Sequence, residues 1–417
     1  MFRFTDLIIF RMTRDCNLNC KYCFMLEKEK YKDEIIDFEL FKKIVLKIIQ
    51  QRKTNNRNNQ LHFILHGGEL LLLGYKKLNE ILEFITIKFK ENNINYSLGC
   101  QTNATLLTEE IAQLFNKFNV NVGLSFDGIN DSSRNNIKQE VFESKFKILN
   151  DSNVKYSFIV VASKNNIENL NETKKYLDDL QENNKILGYK INYAEDMINP
   201  GECSLIELSG KTIFEKVWKP TIEDFIQGKK IIENNSMTLL EKTLVDILSN
   251  HENNSRSGCN NKWCGAGVSI IAIEPDGNIN LCDRYSKDFD DIFIQHSLDN
   301  DFLGLNQLNE VIKYNLIKDK IYHDCDTCFA DYVCDHGCFA FHYSKYGEYG
   351  IDTRLVCDQY KDLYTFIQEN IKEILESYEH QNKSISSRDN LLSIKDLKVL
   401  KYFDLKIKDN KIEIGKK

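Results

Sequence analysis

Arg14-Asp15-Cys16-Asn17-Leu18-Asn19-Cys20-Lys21-Tyr22-Cys23-Phe24 is the stretch whose reading decides the fold. Its cysteines are spaced C-x3-C-x2-C, and it follows Leu7-Ile8-Ile9-Phe10, an apolar run that reads as a buried strand. Three thiolates this close together on a loop can converge on one metal centre. A tetrahedral zinc or a fully ligated 4Fe–4S cluster takes four ligands. With only three, a cubane keeps one iron open to a small molecule. A structural zinc loop completed by a distant cysteine, and a disulfide pair, are the competing readings of the same residues.

Outward from this loop, residues 6–195 alternate short apolar runs with longer amphipathic ones. Strands are expected at 6–12, 60–66, 95–101, 119–125, 155–162 and 187–193. Helices are expected near 37–51, 75–91, 108–117, 137–150 and 166–180. Six strand-then-helix repeats imply a parallel sheet with right-handed crossovers, either open and doubly wound or curled into a partial barrel. Residues 196–258 lose the rhythm, with helices expected at 214–226 and 237–248 and a polar loop at 250–258. A hairpin around Pro275-Asp276-Gly277-Asn278 joins short strands at Val268–Ile273 and Asn278–Leu281, so Gly277 reads as a turn residue. A helix is expected at 359–378. In the tail, Leu405/Ile407 and Ile412/Ile414 alternate around Asp409-Asn410 as a second hairpin.

The 417-residue chain is long enough for a large and a small domain. A hydrophobic share of 42% without low-complexity tracts indicates a folded protein. Net charge is −7 and the charges are interspersed, which leaves no footprint for nucleic acid or an anionic membrane. No signal peptide precedes the first strand and no apolar run reaches membrane-span length, so a cytoplasmic protein is expected. In that compartment 13 cysteines point to metal ligation rather than disulfides. Three lie in the first loop. Eight more fall between Cys259 and Cys357, while Cys100 and Cys203 stand alone as ordinary small residues. Eight equals two sets of four, enough for two fully ligated clusters or two zincs.

Polar motifs end the expected strands: His66-Gly67-Gly68-Glu69, Gln101-Thr102-Asn103, Ser125-Phe126-Asp127-Gly128 and Lys190-Ile191-Asn192-Tyr193. In parallel barrels, strand C-termini are where active-site residues gather. Two glycines allow close approach to backbone, and a carboxylate can accept from an ammonium group. Asp127-Gly128 is also plain turn chemistry.

The cysteine loop after the first strand, with Tyr22 and Phe24 about its last cysteine, resembles the signature of the radical S-adenosylmethionine (SAM) family. From Cys264 onward the order C-x12-G-x4-C, C-x2-C-x5-C-x3-C, C resembles the SPASM domain of radical SAM peptide-modifying enzymes. The resemblance implies an α/β fold: a partial (β/α)6 TIM-type barrel with a C-terminal cysteine-rich SPASM domain holding two auxiliary iron–sulfur clusters. The barrel core would span 1–195, a helical connection 196–258, the SPASM domain with its closing helix 259–378, and a tail 379–417.

The cofactors it implies are three 4Fe–4S clusters and SAM. Cys16, Cys20 and Cys23 would hold the SAM-binding cluster. Cys259, Cys264, Cys282 and Cys338 would hold the first auxiliary cluster, and Cys325, Cys328, Cys334 and Cys357 the second. SAM contacts carry over to Tyr22, Gly67, Gly68, Glu69, Ser125 and Arg134, with Leu70 standing where the family usually has proline. Asp283 matches the aspartate proposed as the base in related anaerobic sulfatase-maturating enzymes, and an oxidation that loses an electron must also lose a proton.

In the family, an electron from the cluster cleaves SAM to methionine and a 5′-deoxyadenosyl radical, which abstracts hydrogen from substrate. The implied partners are a precursor peptide or protein substrate and a low-potential electron donor such as flavodoxin or ferredoxin. Crosslinking of a ribosomally made precursor peptide is the favoured reading, because of the idiosyncratic tail and the departures at Leu70 and in the Ser125–Arg134 loop. The substrate would lie in the barrel mouth or add as a strand to the tail hairpin. Formylglycine formation in a sulfatase is the alternative. A zinc-stabilised binding module without catalysis is the reading from another class.

Overall fold

The computed structural model describes residues 5–23, 34–128, 134, 137–183, 186–194, 208–229, 231, 234–248, 265–267, 269–284, 327–329, 338 and 354–381. It also gives the strands at 385–387, 390–392, 403–408 and 411–416. Six parallel strands follow one another in chain order: β1 (Leu7–Arg11), β2 (Leu61–His66), β3 (Tyr96–Thr102), β4 (Val120–Ser125), β5 (Tyr156–Ala162) and β6 (Ile186–Tyr193). The helices between them are α1 (Phe38–Thr54), α2 (Gly74–Glu91), α3 (Glu109–Lys117), α4 (Gln139–Asp151) and α5 (Leu170–Asn183). Each strand pairs with its predecessor, as in a barrel wall, and not with the reversed order of a doubly wound sheet. The chain is an α/β partial barrel.

Helix starts follow their caps. Asp37 accepts from Leu40 N at 2.9 Å ahead of α1, and Thr108 accepts from Ile111 N at 3.3 Å ahead of α3. Each such cap contributes about 1 kcal/mol.

Alternation along the strands sorts the two faces of the sheet. Phe10, Phe63, Leu98, Val122 and Phe158 point to the helices and are buried. There Phe10 meets Phe41 with ring centroids 5.1 Å apart, and Phe126 meets Phe142 at 5.1 Å. Leu7, Ile64, Gly99, Gly123 and Ile159 share the other face, lining the barrel interior. Continuing that period to the strand C-termini puts Arg11, His66, Gln101 and Ser125 on the inner face, as a polar layer above an apolar one.

Beyond β1 the sheet continues with β7 (Ile270–Ile273), parallel to β1 with Leu7 opposite Ile270 and Phe10 opposite Ile273. β8 (Ile279–Asn280) then returns antiparallel. The expected hairpin is present, and its first strand extends the barrel wall. This places Cys282 and Asp283 immediately after an edge of the same sheet that carries the cysteine loop.

Residues 210–226 form one helical run: α6 (Gly210–Ile213), a π turn at Phe214–Trp218, and α7 (Lys219–Ile226). Pro220 follows directly and has no N–H to donate to the preceding turn, which accounts for the widened turn. With α8 (Asn235–Leu248), this run packs against α9 (Arg354–Glu369) and α10 (Ile371–His380). The contacts are Trp218–Tyr360, Phe214–Phe366 and Phe225–Tyr378, with centroids 5.4, 6.0 and 4.6 Å apart. The single helix expected at 359–378 is thus two, broken at Asn370, whose side chain donates back to Phe366 O at 2.8 Å. A short hairpin joins β9 (Ile385–Ser387) to β10 (Asn390–Leu392), and β11 (Phe403–Lys408) pairs antiparallel with β12 (Lys411–Lys416). Leu405 lies opposite Ile414 and Ile407 opposite Ile412, while the turn residues Asp409 and Asn410 lie outside the described residues. No helix among the described residues is long and apolar enough to cross a membrane.

Candidate radical SAM site

The cysteine loop leaves β1 and lies over the end of β2. Gly68 N donates to Thr13 O at 2.9 Å and Glu69 N to Asp15 O at 2.7 Å. A Cβ at Gly68 would stand 2.2 Å from Asp15 O and 2.5 Å from Arg14 O, and one at Gly67 would stand 2.5 Å from Thr13 O. The close approach that these glycines permit is therefore to the backbone of the cysteine loop itself. The expected result for Gly68→Ala is a displaced loop, with the iron bound by Cys16, Cys20 and Cys23 lost. Gly99→Ala, on β3, where a Cβ would meet only ordinary contacts at 3.6 Å from Asn121 O and Ile64 Cγ1, is the control and should retain that iron. Iron analysis of the two reconstituted variants checks this, and equal loading would refute it.

Glu69 is buried and accepts three hydrogen bonds. Oε1 accepts from Leu71 N at 2.9 Å and Thr102 Oγ1 at 2.6 Å, and Oε2 accepts from Asn103 N at 2.7 Å. Burial raises its carboxyl above the usual range, and the Thr102 hydroxyl and the two backbone donors oppose this. Glu69 thus fastens β2 to β3, and the second lone pair of Oε2 is what it has left to offer a ligand.

On the other side of the loop, the Tyr22 hydroxyl donates to Asp127 Oδ2, and Val161 N donates to Asp127 Oδ1 at 2.8 Å. Burial first, and then the Asp127 charge, hold the Tyr22 phenol well above its ordinary range, so it stays a donor. Arg134 Nε lies 3.8 Å from Asp127 Oδ2, with the guanidinium 5.9 Å from the Phe142 ring centroid. The positive charge of Arg134 also bears on Cys20 and Glu69. Cys20, Tyr22, Glu69, Asp127 and Arg134 therefore form one neighbourhood. Ser125, two residues before Asp127, accepts from Gln101 Nε2 at 2.8 Å.

A buried ionic cluster joins the loop to the β7–β8 hairpin. Arg11 donates to Glu274 Oε1, to Asp283 O and, from Nε at 3.2 Å, to Asp283 Oδ1. Arg14 Nε donates to Glu274 Oε2 at 3.0 Å, and Asn280 Nδ2 to Glu274 Oε1 at 2.5 Å. Arg11 and Glu274 are wholly inaccessible to solvent. Burial alone would weaken the hold of Arg11 on its proton, but Glu274 and Asp283 outweigh it and raise its pKa. Burial would likewise raise the Asp283 carboxyl. Arg11 foremost, helped by His66 and Arg284, holds it below the usual range instead.

Residues 10–177 match the family model described as the Radical SAM superfamily. The chain carries a radical SAM domain. It is 27% identical over 381 residues to the cysteine-type anaerobic sulfatase-maturating enzyme of Clostridium novyi (strain NT), covering 88% of this chain and 96% of that one. It is 25% identical over 396 residues to the radical SAM cyclopropyl synthase TigE of Paramaledivibacter caminithermalis, covering 87% and 74%. The fold matches that of native anSMEcpe with bound AdoMet and Cp18Cys peptide, with a TM-score of 0.71 and 20% identity over 88% of this chain and 98% of that one.

Radical SAM chemistry needs a cluster on the cysteine loop, and the donor chemistry there fits one. Among the described residues no three His, Cys, Asp or Glu side chains close on a single ion. The fit rests instead on the surroundings of the sulfurs. Leu18 N at 3.4 Å and Asn103 Nδ2 at 3.8 Å both point hydrogens at Cys16 Sγ, which suits a thiolate. Cys20 lies within electrostatic reach of Cys16, Cys23 and Arg134. Of the C-terminal cysteines, Cys282, Cys328, Cys338 and Cys357 are described, each partly exposed. Cys259, Cys264, Cys325 and Cys334 lie outside the described residues.

The radical SAM domain thus brings Tyr22, Gly67, Gly68, Glu69 and Arg134 to the cysteine loop, with Ser125 at the neighbouring strand end. Asp283 comes to the end of β1 from the neighbouring hairpin, bonded to Arg11. Four participants carried no role in the sequence reading: Arg11, Arg14, Glu274 and Asn103. Asp127 had been read as turn chemistry. A lone arginine ending the run Leu7-Ile8-Ile9-Phe10-Arg11 was the available signal for a buried partner, since an inward charge on such a strand has to be paired.

Proposed function

We propose that this radical SAM enzyme oxidises a side chain of a peptide or protein substrate, and that its substrate is a ribosomally made precursor peptide in which it installs a crosslink. The observation that carries the oxidation, whichever product it gives, is the Arg11–Glu274–Arg14 cluster. It holds the Cys282-Asp283 segment beside the loop that carries Cys16, Cys20 and Cys23. Cys16, Cys20 and Cys23 would hold a 4Fe–4S cluster, which with SAM would supply the radical chemistry that removes a hydrogen atom from substrate.

The residues have separable roles. Tyr22, Asp127 and Arg134 shape the side of the site near Cys20, where Arg134 offers a cationic fork to a carboxylate. Gly67, Gly68 and Glu69 support the loop from below, and Ser125 with Gln101 presents a hydroxyl at the strand ends. Asp283, kept ionised by Arg11, can accept the proton that the oxidised residue loses. Cys282, with Cys259, Cys264 and Cys338, would hold an auxiliary cluster next to that base. Cys325, Cys328, Cys334 and Cys357 would hold another. A low-potential flavodoxin or ferredoxin would deliver the electron.

A second reading, formylglycine formation in a sulfatase, is supported by the similarity to the Clostridium novyi enzyme along almost its whole length. Both readings use the same SAM site and diverge at what the substrate radical meets next. Mass spectrometry after anaerobic co-expression separates them, with any short precursor found encoded beside this gene in one arm and a sulfatase peptide bearing Cys or Ser in the other. An intact peptide lighter by two hydrogens and linked between residues supports crosslinking, and an aldehyde in the sulfatase peptide supports the second reading. SAM cleavage with neither product would overturn both. Asp283→Asn should keep SAM cleavage while the modified product falls about 100-fold or more, the scale of a positioned proton acceptor.

A further inference from the structure

We propose that Asn103 donates a hydrogen bond to the Cys16 thiolate and thereby raises the reduction potential of the N-terminal cluster, making it easier to charge with the electron that SAM cleavage consumes. This rests on the cluster reading of the cysteine loop and adds to it a residue that sets how readily the cluster accepts an electron.

The orientation of the amide follows from its partners. Thr105 N, which can only donate, gives its hydrogen to Asn103 Oδ1 at 3.0 Å, and Thr105 Oγ1 lies 2.6 Å from the same oxygen. The carbonyl end of the amide must therefore face Thr105. The NH2 end is left facing the loop, 2.9 Å from Asn17 Oδ1 and 3.8 Å from Cys16 Sγ. Asn17 Nδ2 in turn reaches Thr105 Oγ1 at 2.8 Å, closing a ring of three side chains. The backbone is fixed too, by Asn103 N on Glu69 Oε2. Asn103 is 6% exposed, so water does not dilute its dipole.

An N–H directed at a ligating sulfur draws off negative charge and favours the reduced cluster. Hydrogen bonds to the sulfurs are among the determinants of iron–sulfur potentials. Leu18 N supplies a backbone donor to the same sulfur, which no side-chain substitution removes. Asn103 supplies the one that sequence can vary.

The competing account is that Asn103 merely clamps the loop through Asn17. Two variants distinguish the accounts. Asn103→Leu removes the donor to sulfur and the clamp together. Asn17→Ala removes the clamp alone and leaves the Asn103 amide facing Cys16. Redox titration would follow the EPR signal that changes on adding SAM, which separates the N-terminal cluster from any other. Asn103→Leu should shift the midpoint to more negative potential, lowering the reduced-to-oxidised ratio at a fixed solution potential about threefold or more. Asn17→Ala should leave the midpoint where it is. An unchanged midpoint in Asn103→Leu, or the same shift in Asn17→Ala, overturns the proposal.

If Asn103→Leu does not retain the cluster, the wild-type protein labelled with 15N in its asparagine side chains provides the test. Pulsed EPR of the reduced, SAM-responsive signal should then show a weak 15N coupling, and its absence overturns the assignment. Iron content and SAM cleavage in the wild type are read separately. They report on the cluster site itself, so its failure cannot be mistaken for a failure of the role given to Asn103.

Discussion

Replacing Cys16, Cys20 and Cys23 together with alanine is expected to abolish reductive SAM cleavage and to remove about four of about twelve irons, the complement of three filled cubanes. The effect is complete because these sulfurs are the loop's only metal donors of their kind, and no other cysteine follows β1 until Cys100. Cys100 is buried on the helix-facing side of β3 and cannot substitute. The variant should remain folded. The loop is tethered independently of its thiols, by Gly68 and Glu69 to the backbone at Thr13 and Asp15 and by Arg14 to Glu274. Iron analysis with detection of 5′-deoxyadenosine checks this. Residual cleavage near the wild-type rate, or unchanged iron, would refute the assignment of the loop.

Glu274→Leu should destabilise the protein by about 3–5 kcal/mol, the cost of removing one partner from a buried charge cluster. The size follows from what is left behind. Arg11 loses one of its two carboxylates where no water reaches it, and Arg14 and the Asn280 amide each lose a bond to a buried carboxylate. Asp283 cannot compensate, because Arg11 already uses its Oδ1 and its carbonyl. Anaerobic denaturant titration gives the measurement, as a lowered midpoint at an unchanged slope. A loss below about 1 kcal/mol, the scale of an exposed pair, would mean that the cluster does not bear on stability. Glu274→Gln, which keeps the shape and one of the two acceptor oxygens, should cost less.

The barrel was legible because its period-2 strands and amphipathic helices report local burial, which a linear sequence records. Strand ends fell within a residue or two at Leu7–Arg11, Leu61–His66 and Tyr156–Ala162. The order of neighbours was not in the pattern, and it took the family resemblance to choose a barrel over a doubly wound sheet. The pairing of β7 with β1 was hidden for a different reason. Ile270–Ile273 reads as a buried strand, but nothing in four apolar residues says which strand lies beside it.

The candidate site divides in the same way. Cysteine spacing and the Gly67-Gly68-Glu69 run are local, and both motifs meet at the loop. Asp127 looked like half of a turn dipeptide because its partners Tyr22 and Arg134 are brought to it by strand order. Glu274 lies 260 residues from Arg14, and only the parallel register of β1 and β7 brings their side chains together. The two glycines were read as room for a ligand. The space they leave is taken by the backbone of Thr13–Asp15, a contact between two loops.

The central claim is that the loop of Cys16, Cys20 and Cys23 holds a cluster with an iron open to SAM. The most direct test is to reduce the anaerobically reconstituted wild-type protein, add SAM, and quantify 5′-deoxyadenosine and methionine. The account predicts a brown protein that forms both products in equal amounts and whose reduced-cluster EPR signal changes when SAM is added. A colourless zinc protein, or a reduced cluster that neither changes on SAM addition nor cleaves it, would contradict it.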